Sequence, residues 1–227
     1  MHVVFVANLT RPAASEAGPL AAAIGTTEYE TRLALATPAP SILLVTQDRD
    51  RAADALAKVR ARGHEAHLFD DATMTVSAAM PHVDDFVLEP EGVRRNVDGE
   101  LLPFGDVFAI LRAMHETSEE PDPPIRENVA YFFRRSGARP WILRQLHANY
   151  IGLGADLQPV AFQNFLVTLA RIREAAAMAV FDDRLVRRRV AERLTGDAAL
   201  RSSSEGMDLL AHCLALTIAS QGGSPYR

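Results

Sequence analysis

A single cysteine, a single lysine and a single tryptophan stand among the 227 residues of the chain, and aromatic residues make up only 7% of it. With Cys213 alone, the chain has no internal disulfide and no cysteine-based zinc site. Lys58 is the only lysine, so arginine supplies the rest of the side-chain positive charge, and with the abundant alanine this matches GC-rich codon usage. The longest apolar stretches run about five to seven residues, too short for a membrane-spanning helix. No basic region precedes an apolar block at the amino terminus, so no secretory signal is expected and the cytoplasm is the expected location. Positive charge is also in deficit. The 29 acids outweigh 24 bases, a formal net charge of −5, which argues against general affinity for nucleic acid or anionic membranes. What remains, 48% apolar and 23% charged residues, is the balance of a globular protein of one or two domains.

The first seventy residues read as a compact alternation. Val3 to Val6 is a β-branched and aromatic run suited to a buried strand that ends before Pro12. A helix over Ala13 to Ile24 carries Gly18-Pro19 in its middle, which predicts a shortened or kinked helix, and Gly25 closes it. Thr27 and Glu30 have the capping-box spacing of a second helix, ended by Pro38 and Pro40. Ile42 to Val45 is a buried strand. Ala52, Ala55, Leu56 and Val59 share one helical face, Gly63 stops that helix, and His64 to Phe69 is a third strand.

This order and these motifs, VVFVAN, the TTEYETR opening, the proline before SILLV and AADALAKVRARGHEAHLF, resemble the carboxy-terminal domain of the acidic ribosomal stalk protein, whose relatives include the ClpS protease adaptor. The likeness covers residues 1 to 70. It implies a βααβαβ fold that works by docking other proteins and carries no catalytic centre. The stalk domain meets translation GTPases on a lysine-bearing face near its second helix, and the matching positions here are Tyr29, where a lysine is the family residue, Glu30 and Arg32. A response-regulator receiver is the competing likeness for residues 41 to 71. That family needs acids after its first strand, where Thr46 and Gln47 stand, and an aspartate ending a later apolar run.

Beyond a linker or short helix at 73–82, a second domain is expected over 83–221, with a tail at 222–227. Asp85 to Leu88, Gly92 to Val97 and Glu100 to Leu102 read as a short β-meander, with Asp98-Gly99 predicting a type I′ turn. Val107 to Met114 fits a strand or a helix. SEEPDPP at 118–124 is a loop. Ile125 to Arg135 predicts a helix with Val129, Phe132 and Phe133 inward, and Trp141 to Leu146 a strand. Gly152, Gly154 and Asp156 mark a turn. A helix opening on Pro159 is expected to bury Phe162, Phe165, Leu166, Leu169 and Ile172, and a last helix spans Met207 to Ser220. The fold class is therefore α+β: a small βααβαβ domain followed by a second α+β domain with a meander and carboxy-terminal helices.

Catalytic motifs are sparse. GLGADLQ at 152–158 lacks the lysine and the further glycine of a phosphate loop, and no G-x-S-x-G elbow occurs. His64 and His67 on a strand point to opposite faces, which argues against a shared metal. Cys213 and His212 diverge by about 100° on a helix, so Cys213 reads as a buried structural thiol. The densest polar segment holds Trp141, Arg144, His147, Asn149 and Tyr150, an aromatic platform among groups able to orient a ligand. Asn164 with Asp182, Asp183 and Arg184 is a second constellation, where Asn164 is expected to bridge backbone. Arginines 184, 187, 188, 189 and 193 read as a solvated helix with i,i+4 ion pairs. The binding candidates are therefore Tyr29 and Arg32 on the second helix and Arg144, His147 and Tyr150 in the second domain. No catalytic residue, cofactor or metal is assigned. The function expected is a non-enzymatic adaptor or regulator that binds another protein, a second copy of the chain included. The alternative is a small-molecule enzyme with its site near 141–150.

Overall fold

A computed structural model describes residues 1–116, 125–187 and 203–222. The chain is α+β and divides into two compact units, Met1–Met74 with Arg188–Thr217, and Thr75–Arg187 with Ile218–Arg227. The carboxy-terminal helix up to Thr217 groups with the first unit.

In the first unit, strand β1 (His2–Asn8) lies at the centre of a three-stranded sheet between β2 (Ser41–Thr46) and β3 (Glu65–Asp70), antiparallel to both. Its β-branched run is buried on both faces, as a central strand requires: Val3, Val4 and Phe5 are wholly inaccessible. Val4 and Val6 point toward helices α1 (Ala13–Ile24), α2 (Glu28–Leu35) and α3 (Arg49–Ala61), packing with Leu20, Ile24, Leu35, Ala52, Ala55 and Val59. On the opposite face Phe5 stacks on His67, and Phe69 meets His212 of α5 (Ser203–Gln221) at a centroid distance of 5.8 Å.

Local signals set these boundaries. Helix α1 runs its full expected length with Pro19 inside it and closes on Gly25, whose φ of 71° is the left-handed stop. Thr27 accepts from the Glu30 amide while Glu30 accepts from the Thr27 amide, completing the capping box of α2. Asp48 caps α3 by accepting from the amides of Asp50 and Arg51.

The second unit holds a meander, β4 (Phe86–Leu88), β5 (Gly92–Arg95) and β6 (Leu101–Pro103), and a four-stranded sheet ordered β10-β7-β8-β9. The latter comprises β7 (Val107–Glu116), β8 (Arg126–Arg134), β9 (Trp141–Arg144) and β10 (Val180–Leu185), with β10 parallel to β7 and the other pairs antiparallel. Helix α4 (Ala161–Ala175) places Phe165, Leu169 and Ile172 in one core with Ile110, Phe132, Trp141 and Leu143.

Several expectations change here. The core of the segment 125–135 is strand β8, paired with β7 from Val107↔Arg134 to Glu116↔Arg126 with one register shift between Val107 and Ala109. Its Val129, Phe132 and Phe133 have helical spacing, but every residue from Glu127 to Phe133 is buried, so a strand covered on both faces leaves no period of two to read. Asp98 does not adopt the positive φ that a type I′ turn requires; only Gly99 does, at 71°, and a longer loop links Arg95 to Glu100. Pro159 precedes α4, whose N-cap is Val160, and Phe162 and Leu166 are exposed while Asn164 and Thr168 are buried. Arg184 lies on strand β10 and Arg187 just after it; arginines 188, 189 and 193 fall outside the described residues. The loop expected at 118–124 lies there as well.

Candidate functional site

The binding candidates fall into two groups, one in each unit. On α2, Tyr29 is 73% exposed and Leu33, one turn on, is 55% exposed. Helical spacing stacks their side chains on one surface. Arg32 pairs with Glu28 one turn back on the same helix. The buried residues of α2, Thr31 and Leu35, hold the other side against the core, so the Tyr29 face is turned outward by the helix's own amphipathic pattern.

In the second unit, antiparallel pairing of β8 with β9 sets Val129 opposite Arg144 and so brings the end of β8 alongside the residues after Arg144. Glu127, only 2% exposed, is the hub. Its Oε1 accepts from Nε of Arg144 at 2.8 Å and lies 3.8 Å from Nε2 of His147, and its Oε2 accepts from the Leu146 amide at 3.3 Å. Arg144 also reaches the same oxygen through Nη2. A second chain runs beside it. Tyr150 donates its hydroxyl to the Gln145 carbonyl at 3.0 Å, the Gln145 side chain accepts from Nδ2 of Asn128 at 2.7 Å, and Asn128 accepts from Arg112 Nη2 at 2.7 Å. Burial, helped by the nearby Glu127 charge, pushes the Tyr150 phenol well above its ordinary range.

Arg144, His147 and Tyr150 thus converge around β8, but Arg144 and Tyr150 have their polar groups engaged internally, and His147 alone of the three is exposed. Glu127, Asn128, Gln145 and Arg112 are the members that sequence reasoning missed. Reading 125–135 as a helix hid the register that places Glu127 and Asn128 beside β9. The other constellation separates: Asn164 accepts from the Gln158 amide at 2.6 Å and donates to the Gln158 carbonyl at 2.9 Å, the backbone bridge expected, while Asp182 accepts from the amide and Nε of Arg184.

The first unit contains a further ionisable cluster that the sequence reading passed over. Glu16, 2% exposed on α1, accepts from Nε of Arg62 at 2.8 Å, from Nε2 of His64 at 3.0 Å and from Nη1 of Arg11 at 3.3 Å. The Arg62 bond first, and the His64 and Arg11 bonds with it, outweigh burial and hold the Glu16 carboxyl down at about 2. The available signal was its position: Glu16 adjoins Ala17 and lies one turn before Leu20, on the inward face of α1. His64 and His67 do part company across the sheet, one toward Glu16 and one onto Phe5.

Among the described residues, no group of three or more histidine, cysteine, aspartate or glutamate side chains is placed to hold a metal ion. No described helix is long and apolar enough to cross a membrane. No family model, curated protein or solved structure matches this chain.

Proposed function

We propose that the protein is a cytoplasmic adaptor or regulator that acts by binding another protein through the outward face of α2, in the manner of the stalk and ClpS-type domains that its first seventy residues resemble. The observation that carries this reading is the exposed pair Tyr29 and Leu33, a full turn apart and flanked by the Arg32 and Glu28 ion pair. An aromatic and an aliphatic anchor beside a polar rim is the composition of a binding hot spot. The engagement of Arg144 and Tyr150 with Glu127 and Gln145 supports it further, because those groups act as internal fasteners of the second unit.

The test is a photo-crosslinking amino acid placed at position 29 in the source cell, with position 15, also exposed, as control. A dominant adduct at 29 that disappears with Leu33→Asp supports the reading, and identification of the adduct as a second copy of the chain makes the partner a homo-oligomer. Equal labelling from positions 29 and 15, or adducts indifferent to Leu33→Asp, would overturn it. One observation favours the alternative of an enzyme in the second unit: the exposed His147 ring lies 3.8 Å from the buried Glu127 carboxylate, two titratable groups close together.

A further inference from the structure

The Glu16 cluster continues to the surface through one more residue. The loop after β1 places Thr10, an exposed residue, against the otherwise buried ring of His64. Nδ1 of His64 lies 3.2 Å from the Thr10 hydroxyl and 3.3 Å from the Thr10 amide, and Nε2 lies 3.0 Å from the Glu16 carboxylate. The amide N–H has only one role, donor, so Nδ1 is the unprotonated nitrogen and Nε2 carries the hydrogen donated to Glu16. The result is the hydroxyl of an exposed residue, an imidazole whose Nδ1 lone pair is shared between that hydroxyl and the Thr10 amide, and a buried carboxylate fixing the tautomer from behind. These are the three roles of a nucleophile, a base and an orienter.

Two features surround the hydroxyl. Gly63, next to His64 in the chain, flanks it without crowding: even a Cβ there would stand 3.8 Å from the Thr10 oxygen, an ordinary contact. Arg11, the residue after Thr10, and Arg62, two residues before His64, each bond Glu16 through one guanidinium nitrogen and so fix the carboxylate behind the ring.

We propose that Thr10 is an activated hydroxyl that accepts an acyl group from a small activated ester or thioester, with His64 as its general base and Glu16 as the residue that positions His64. As the Thr10 oxygen bonds to the acyl carbon, its proton passes to Nδ1 of His64. The bond from the acyl carbon to the leaving oxygen or sulfur then breaks, and the leaving group departs with the proton from Nδ1, restoring the neutral ring. While Nδ1 holds the proton, the Thr10 amide loses its acceptor and is freed to donate to the carbonyl oxygen as that oxygen becomes negative. This chemistry is independent of the α2 docking face, and either stands without the other.

The experiment uses the full chain and p-nitrophenyl acetate, following nitrophenolate release and locating the acetyl group by peptide mass spectrometry. The expected result is acetylation of Thr10 approaching one per chain, at least about 100-fold faster than any single background site, as general-base activation provides. Thr10→Ser should retain the reaction and Thr10→Val should lose it, both substitutions being at an exposed loop position. Glu16→Asp should react faster than Glu16→Gln. Acetyl groups spread over Lys58, the amino terminus and Tyr29 with Thr10 unlabelled, or a Thr10→Val variant as fast as the wild type, would overturn the proposal. Equal rates in the two Glu16 variants would remove Glu16 from it.

Discussion

Replacing Glu16 by glutamine gives a stability difference that should vanish in acid, and its size follows from the carboxyl's surroundings. Glu16 is held at about 2 against an ordinary 4.5, chiefly by the Arg62 hydrogen bond and then by His64 and Arg11. Between those values the unfolded chain binds more protons than the folded one, so stability rises with pH across the window. At 1.36 kcal/mol per pKa unit the gain at neutral pH is at most about 3 kcal/mol, and the partial exposure of Arg11 reduces it to about 2. Glutamine has the shape of the protonated acid. The wild type should therefore exceed Glu16→Gln by about 2 kcal/mol at neutral pH, with the gap closing below pH 3. Trp141, the only tryptophan, sits in the other unit, so the proper probe is amide hydrogen exchange at Val4 and Val6 of β1, corrected for intrinsic rates. A gap that persists undiminished down to about pH 2 would refute the assignment of charge and attribute the effect to packing alone.

Three further outcomes concern the second unit, where Trp141 fluorescence reports unfolding by urea. Gly152→Ala should lower stability by about 2 kcal/mol or more, because a Cβ there would stand 2.3 Å from the backbone carbonyl oxygen of Phe86. Arg144→Met strips the buried Glu127 of its cation and should cost about 3 to 5 kcal/mol, most of it recovered in the Glu127→Met, Arg144→Met double variant. Tyr150→Phe should cost about 1 kcal/mol through the lost bond to the Gln145 carbonyl. Because the unfolded phenol ionises near about 10 while the folded one is held higher, the Tyr150 contribution should fall away as pH climbs beyond that point, and a difference absorbance titration against Tyr150→Phe should show no ionisation of this phenol at about pH 11 in the folded protein.

Legibility from sequence differed between the two halves for a physical reason. In the first seventy residues four helix boundaries are punctuated by residues with a local job: Gly25 at a positive φ, the Thr27 and Glu30 box, the Asp48 cap, Gly63. Such signals act within four residues and survive without knowledge of the fold. Strand β8 ends at a turn through Gly137 at positive φ, a signal that closes a helix as readily as a strand, and its two-sided burial erases the alternation that marks a half-exposed strand. Glu127 could not be seen as a hub, since its partners on β9 and beyond are set by register. Thr10, His64 and Glu16 are likewise joined only across 48 to 54 residues, His64 reaching back to α1 and to the loop after β1. Tyr29 and Arg32 needed less, because α2 is short and strongly capped, and its outward face follows from Thr31 and Leu35 facing in.

The position of β1 at the middle of its sheet has a consequence during synthesis. Strand β1 has no sheet neighbour until Ser41–Thr46 has been made for one side and Glu65–Asp70 for the other. The last part of the same unit, up to Thr217, arrives only after the whole of Thr75–Arg187. The first unit is therefore made in two instalments: its sheet can close around β1 once Glu65–Asp70 is present, but the helix whose His212 meets Phe69 follows only after the intervening unit has been made.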